Sequence, residues 1–479
     1  MELYGLIFII LLVLTVIYYF YNGKNNNIYP PGPFGWPLIG SLHLLKNYEK
    51  IPFEAFTKLR KIYGDIFSIR IGSFNCVVVN GNELTKEVLL AKADHFSDRP
   101  NFHRFRNIFG GNKNNSVAFC DSSFLQEERR KLIKKFTIPK SHSLSLDRLD
   151  RLCQEELNHM ILQFNMFKNW TNIDLKSCIS KATANVFIRY FCSIHSFSYD
   201  DKLFNSFIQS YDAIFWEVNN GRLMDFFPWT SLFAGFVQQP LNSHCKFIRN
   251  FVENKILLNQ KFDDDFLNTY QRIEKNKELI LFALEDLIGG HSAVTNVILR
   301  ILVHILEHGD IKKELQKEIQ PFQALTFKET RNMVLLNACF YETVRLTCSP
   351  IIPHRSKRDT SIGNYCVKND TVIFINNHFL NYSPSLWYEP LNYNPKRFID
   401  TETGFLSIPA HFQPFSIGRR SCVGYKLTQL ICTFSVAHIL KTLDLSIKNM
   451  EISLPPGMLA TKPGPVVFCS KILADTEII

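Results

Sequence analysis

The stretch "FSIGRRSCVGYKLTQLICTF", Phe415 to Phe434, decides how this chain is read. A free cysteine is usually a small buried hydrophobe. Cys422 is framed differently. Gly418 permits a tight turn before it, and Gly424 permits close approach after it. Leu427, Leu430, Ile431 and Phe434 then recur at helical spacing. The cysteine therefore falls at a loop-to-helix junction. There the helix dipole and its free N–H groups favour a thiolate. A thiolate so held suits metal ligation.

The chain around this loop has 479 residues, enough for a large core, with 46% hydrophobic and 20% charged residues. Its twelve cysteines are scattered, and none forms a C-x-x-C pair. That pattern argues against a disulfide scaffold or structural zinc and fits a reducing compartment. The net charge of +10 comes from dispersed Lys and Arg, with no nucleic-acid-binding motif. An acidic partner, an anionic membrane surface and a merely basic surface all account for it.

Leu3 to Tyr21 carries no charge and ends in an aromatic cluster, Tyr18 to Tyr21. It is long enough to span a bilayer, so residues 1–22 are read as a transmembrane anchor. A cleaved signal peptide is the rival, but it would have a basic start and a small-residue cleavage site. Lys24 places the body on the cytosolic side. "YPPGPFGWPLIG" follows, and residues 23–40 are read as a stiff Pro/Gly-rich hinge. From Ile51 the pattern is mostly helical, so residues 41–479 form one large, mainly α domain with small β-sheets. Phe67 to Asn80 reads as two strands around Gly72 and Ser73. Thr371 to Leu380 and Pro465 to Cys469 are further strands. Glu278 to Leu306 reads as a long buried helix with Gly309 as its C′ residue. In its middle lies "GGHSAVTN", Gly289 to Asn296, whose small and polar residues cost helix stability. Either another body approaches the backbone there, or two helices pack tightly.

F-x-x-G-x-R-x-C-x-G is complete here as Phe415, Gly418, Arg420, Cys422 and Gly424, and it resembles the fingerprint of the cytochrome P-450 (haem-thiolate) family. "YETVRL" supplies that family's E-x-x-R as Glu342 and Arg345, which share one helix face. "YNPKRF" supplies Arg397, which in the family joins that pair to support the haem pocket. The resemblance implies haem b with Cys422 as axial ligand to the iron. It assigns Arg420, Arg355 and Arg129 to the haem propionates. It also implies electrons from NADPH through a separate reductase, docking on the basic face of "RRKLIKK" (Arg129 to Lys135) and Lys426.

In this family the long central helix crosses the oxygen side of the haem, with the pattern A/G-G-x-D/E-T-T/S. The acid and alcohol pass protons to the site of oxygen activation. Aligned here, Gly290, His291, Ser292, Ala293 and Val294 take the oxygen-side positions. Ala293 replaces the acid and Val294 the threonine. Thr295 sits about 100° further round the helix. Substrate hydroxyl or water, His291 or Ser292, or a different oxygen chemistry would have to compensate.

"GGHSAV" and "HFSDRPNFHRFRNIFGGNKNNSVAFCD" (His95 to Asp121) resemble the Spook/Spookier group of arthropod ecdysteroid-pathway enzymes, with departures at Ser122 and in "KKFTIPK". That resemblance implies a sterol monooxygenase of the endoplasmic-reticulum membrane. Its substrate would be 7-dehydrocholesterol, in an early "black box" step of ecdysteroid synthesis. The alternatives are a reductase-independent haem-thiolate isomerase or dehydratase, an oxygenase of another lipid, and a non-catalytic sterol-binding or gas-sensing haem protein.

Overall fold

The computed structural model describes residues 28–473 except 49–51, 165–169, 221–222, 228–229, 231–233, 260–263, 448–453 and 455–456, together with Gly5, Ile10, Leu12 and Val13. The anchor proposed for residues 1–22 thus lies almost wholly outside the described residues. The four that are described are helical and exposed.

Six of the helices position the site: α1 (Phe124–Thr137), α2 (Leu175–Cys192), α3 (Lys202–Asn219), α4 (Lys277–Glu307), α5 (Val334–Thr347) and α6 (Tyr425–Thr442). Local side chains start most of them. Ser123, Asp174, Asp201 and Asn276 accept backbone N–H bonds at the N-termini of α1, α2, α3 and α4. Helix α5 has no cap of its own. Glu318 serves instead, accepting from Leu335 N (2.9 Å) and Leu336 N (3.0 Å).

Helix α4 is mostly apolar and buried on most of its faces because it is the axis of the core, although it also carries Asp286, His291, Asn296 and Arg300. It packs against α2, α5 and α6. Among the described residues it is the one helix long and apolar enough to cross a membrane, and 78% of that stretch is buried inside the protein. It is a core helix. Its end differs from the sequence reading: His308 ends α4, and Gly309 starts the next helix, Gly309–Ile319, with no positive φ.

Among the described residues the strands form three small sheets. β1 (Ile66–Ile71) and β2 (Phe74–Val79) are the expected hairpin, with Ile71 opposite Phe74. They extend through β7 (Val372–Ile375) to β4 (His354–Arg355). The strand expected over Thr371 to Leu380 is shorter, because Asn376 accepts from Phe379 N (3.4 Å) and begins a helix at Asn377. β3 (Thr171–Asp174), β9 (Val467–Ile472) and β8 (Leu443–Ser446) make the second sheet. β5 (Thr360–Ile362) pairs with β6 (Tyr365–Val367) in the third. The Pro-rich segment is docked on β1: Ser68 donates from N to Pro31 O (2.7 Å) and from Oγ to Pro30 O (2.8 Å). A Cβ at Gly32 would collide with the Ser68 carbonyl.

Candidate functional site

Cys422 stands two residues before the Gly424 that caps α6. The loop into it is bent by Ser416 (φ 59°) and Gly418 (φ 75°), and Cys422 N donates to Phe415 O (2.9 Å). A Cβ at Gly418 would collide with the Leu89 carbonyl, so glycine is required there on two counts. Gly424 is under no such demand within the chain. Its φ is −91°, and a Cβ would meet only Thr428 Oγ1 at 4.0 Å. The close approach expected there is therefore not made by protein atoms.

Cys422 has accessible surface although protein surrounds it, because that surface faces an internal cavity of about 330 Å³. Burial pushes its thiol up, against the N–H groups of Gly424 and Tyr425 and the charge of Arg130, which pull it down. The protein alone therefore leaves the thiol protonated. A coordinated cation would ionise it.

The same cavity is walled by three arginines, Arg99, Arg130 and Arg420. They come from a loop, from α1 and from the cysteine loop. Burial pulls each down, and for Arg99 and Arg130 the neighbouring guanidiniums add to it, Arg130 falling to about 10. Arg420 donates to Ala118 O (2.8 Å) and Cys120 O (2.9 Å), while its Nε and Nη1 are buried without a partner. A buried cluster of cations with unused donors is arranged for an anion.

The opposite wall is α4, through Asp286, Leu287, Ala293 and Val297. A larger apolar cavity of about 720 Å³ shares Pro350, Ile351 and Ile352 with the smaller one. Its walls include Phe56, Phe102, Phe105, Phe119, Phe226 and Phe374.

A family model for cytochrome P-450 matches residues 30–470. The chain belongs to the cytochrome P-450 family. Cytochrome P-450 307a1 of Drosophila melanogaster is 36% identical over 488 residues, covering 91% of this chain and 88% of that protein. Steroid 17-alpha-hydroxylase/17,20 lyase of Homo sapiens is 30% identical over 453 residues, covering 88% and 87%, and the Pan troglodytes protein of the same name gives the same figures. As a cytochrome P-450 the protein is a monooxygenase-type oxidoreductase with a haem-thiolate iron. The residues fit that group: a thiol faces the cavity beside three arginines, one of which, Arg420, has buried donors without partners.

Several residues singled out from the sequence lie elsewhere in this cytochrome P-450. Arg129 is off the cavity wall and faces Glu274 at 3.7 Å; its neighbour Arg130 takes the wall. One helical residue turns a side chain by about 100°, and charge alone does not reveal which of two adjacent arginines faces inward. Arg355 is also off the wall, held by Asp98 (3.3 Å), Asp121 (3.2 Å) and Asp370 (2.9 Å). Arg99 escaped the sequence reading. Its signal was the "SDRP" within the resembling segment, but nothing local says that Arg99 points inward.

Glu342, Arg345 and Arg397 are brought together, outside the cavity. Arg345 donates to Glu342 through Nε (2.7 Å) and Nη2 (2.8 Å), and Arg397 Nε donates at 3.1 Å. Arg345 also donates to Asn381 O and Pro390 O, so the cluster ties α5 to the loop before Pro395. Phe415 lines the cavity.

Of the five oxygen-side residues named from the sequence, Ala293 lines the cavity. Gly290 backs onto Phe187 of α2, 3.0 Å from an ideal Cβ, and Gly289 onto Tyr211 of α3 at the same distance. Helix packing thus accounts for both glycines. His291 is buried, donates from Nδ1 to Ile288 O (2.7 Å) and packs edge-on to Tyr211. Burial lowers it to about 4, so it is neutral at physiological pH. Ser292 and Val294 are buried too. Asp286, which sequence reasoning passed over, is a carboxyl on the wall. It accepts from Ser116 Oγ (2.9 Å) and Val117 N (2.7 Å), and burial raises it to about 6.

Proposed function

We propose that this cytochrome P-450 is a membrane-anchored monooxygenase that oxidises a sterol, 7-dehydrocholesterol, in an early step of ecdysteroid synthesis. The observation that carries the reading is the pair of adjoining cavities: a phenylalanine-lined chamber of about 720 Å³ opening beside the cysteine hollow. A rigid apolar skeleton suits such walls. Relatives named as steroid hydroxylases, and the likeness of the central octapeptide and the His95 to Asp121 segment to the Spook/Spookier group, support a sterol.

Cys422 would hold the iron, and Arg99, Arg130 and Arg420 the two propionates. Bound haem supplies the activation of dioxygen. The chain does the rest. The phenylalanines exclude water and orient the skeleton, and Ile351 and Ile352, which line both cavities, stand at the boundary with the cysteine hollow. Asp286 is the one carboxyl on either wall among the described residues, and with a pKa raised to about 6 it exchanges a proton in the mildly acidic range and is mostly ionised at pH 7. His291 stays neutral and is off both cavity walls, so it is not the group that exchanges a proton with the site. Electrons would come from NADPH through a separate reductase of the endoplasmic-reticulum membrane. Its docking face would be the exposed Lys131, Lys134, Lys135 and Lys426, since Arg129 and Arg130 of the same run are buried.

The test is product analysis by mass spectrometry with 7-dehydrocholesterol, reductase and NADPH supplied to the membrane-bound protein. An oxidised sterol that appears only with NADPH is expected. A rearranged product without NADPH would replace the proposal with a reductase-independent isomerase or dehydratase. Oxidation of a different lipid alone would overturn the sterol assignment.

A further inference from the structure

The segment Gly457 to Thr461 belongs to both cavities. Gly457 and Met458 line the larger one and Leu459 lines the smaller. Two residues one turn apart on α4 hold it. Arg300 donates from Nη2 to Met458 O (2.7 Å) and from Nε to Leu459 O (3.3 Å). The Asn296 side-chain oxygen accepts from Thr461 N (2.9 Å), and its amide donates back to Ser292 O (2.8 Å). Arg300 is 3% exposed and Asn296 1%. Burial lowers Arg300 to about 10, so it remains charged.

A guanidinium inside a core helix is a poor choice for stability alone. Apolar side chains of similar volume often serve such positions as well or better. What Arg300 provides that leucine or methionine could not is two directed bonds to the carbonyls of consecutive cavity-wall residues. Asn296 fixes the same segment two residues on. With three anchoring bonds from one helix, Leu459 is held on the same cavity wall as Ala293 and Val297, and Met458 on the wall of the larger cavity.

We infer that Arg300 and Asn296 are positioning residues for substrate: by fixing the segment 457–461 they set how the bound molecule is aimed from the larger cavity into the cysteine hollow. The inference rests on the reading of the two cavities as substrate chamber and reaction site.

The experiment uses the full-length haem-loaded protein and four variants: Arg300→Met, Arg300→Lys, Asn296→Leu and, as a control for helix packing, Thr295→Val. Three quantities are read: hydrogen exchange of residues 457–461, the dissociation constant of 7-dehydrocholesterol by optical titration, and the product distribution. Arg300→Met and Asn296→Leu should speed exchange in that segment and weaken sterol binding about tenfold, the scale of one or two lost buried hydrogen bonds. KM should rise with kcat nearly unchanged, and a second oxidised product should appear. Arg300→Lys should recover part of each effect, and Thr295→Val should leave all three as in the parent. Unchanged exchange in both anchoring variants overturns the inference. So do faster exchange with parental binding and a single product. If Arg300→Met does not fold, Arg300→Lys and Asn296→Leu decide by the same readings. If the parent protein binds no sterol, the proposed function fails, and the exchange measurement still decides whether Arg300 and Asn296 hold the segment.

Discussion

Thr295 Oγ1 lies 2.9 Å from Thr183 Oγ1, a hydrogen bond that joins α4 to α2 deep in the core. This bond explains why Thr295 does not replace the threonine missing at Val294. It is turned toward α2, not the cavity. The other members of "GGHSAVTN" are similarly engaged. The glycines admit Tyr211 and Phe187, His291 bonds within α4, and Asn296 holds the segment at Thr461. A helix-breaking octapeptide is tolerated because its glycines are filled by neighbouring rings and His291 Nδ1, Thr295 and Asn296 bond to partners, while His291 Nε2 stays buried without one.

The buried neutral His291 makes stability depend on pH. Its pKa is near 6.5 when unfolded and about 4 when folded. Between those values the unfolded chain binds more protons, so this contribution is present above about pH 6.5 and is lost as pH falls toward 4. Between pH 7 and 5 the loss should be about 2 kcal/mol. Unfolding midpoints of the parent and His291→Phe at the two pH values should converge in acid by that amount. Parallel pH profiles would show that His291 is not buried neutral.

Glu342 is fully buried and accepts from both Arg345 and Arg397. Glu342→Ala would leave two guanidiniums without their carboxylate. A destabilisation of about 3–5 kcal/mol is expected, with Glu342→Gln intermediate. Thermal unfolding of the three proteins checks the order.

Gly418 has a left-handed φ of 75° and no room for a Cβ beside the Leu89 carbonyl. Gly418→Ala should cost about 2 kcal/mol or more and displace Cys422. Haem content per folded molecule should fall along with the melting temperature. A normal haem content would mean that the loop can relax away from Leu89.

The arginines separate into two sets. Arg99, Arg130 and Arg420 line the cavity, whereas Arg129 and Arg355 are paired with carboxylates away from it. Arg420→Leu and Arg130→Leu should weaken haem retention about tenfold each, and Arg129→Leu and Arg355→Leu far less. Haem transfer to an apo-haem acceptor protein measures this directly. Equal losses in both sets would contradict the assignment of the propionates to Arg99, Arg130 and Arg420.

What the sequence by itself determined is what lies within a few residues of its partners. The turn at Gly418, the helix after Cys422, the Glu342–Arg345 pairing at i and i+3 and the hairpin from Ile66 to Val79 all follow from spacing and local sterics. The resemblance to the haem-thiolate family rested on equally short motifs, those around Cys422, Glu342–Arg345 and Arg397. The tertiary structure alone decided which groups meet from far along the chain. Arg99, Arg130 and Arg420 converge from three segments. Asp286 reaches Ser116, and Arg300 reaches Met458. Each of these depends on how a helix is rotated and where a loop crosses it. A helix turns about 100° per residue, so adjacent residues such as Arg129 and Arg130 are equivalent in composition and opposite in consequence until packing fixes the face that points inward.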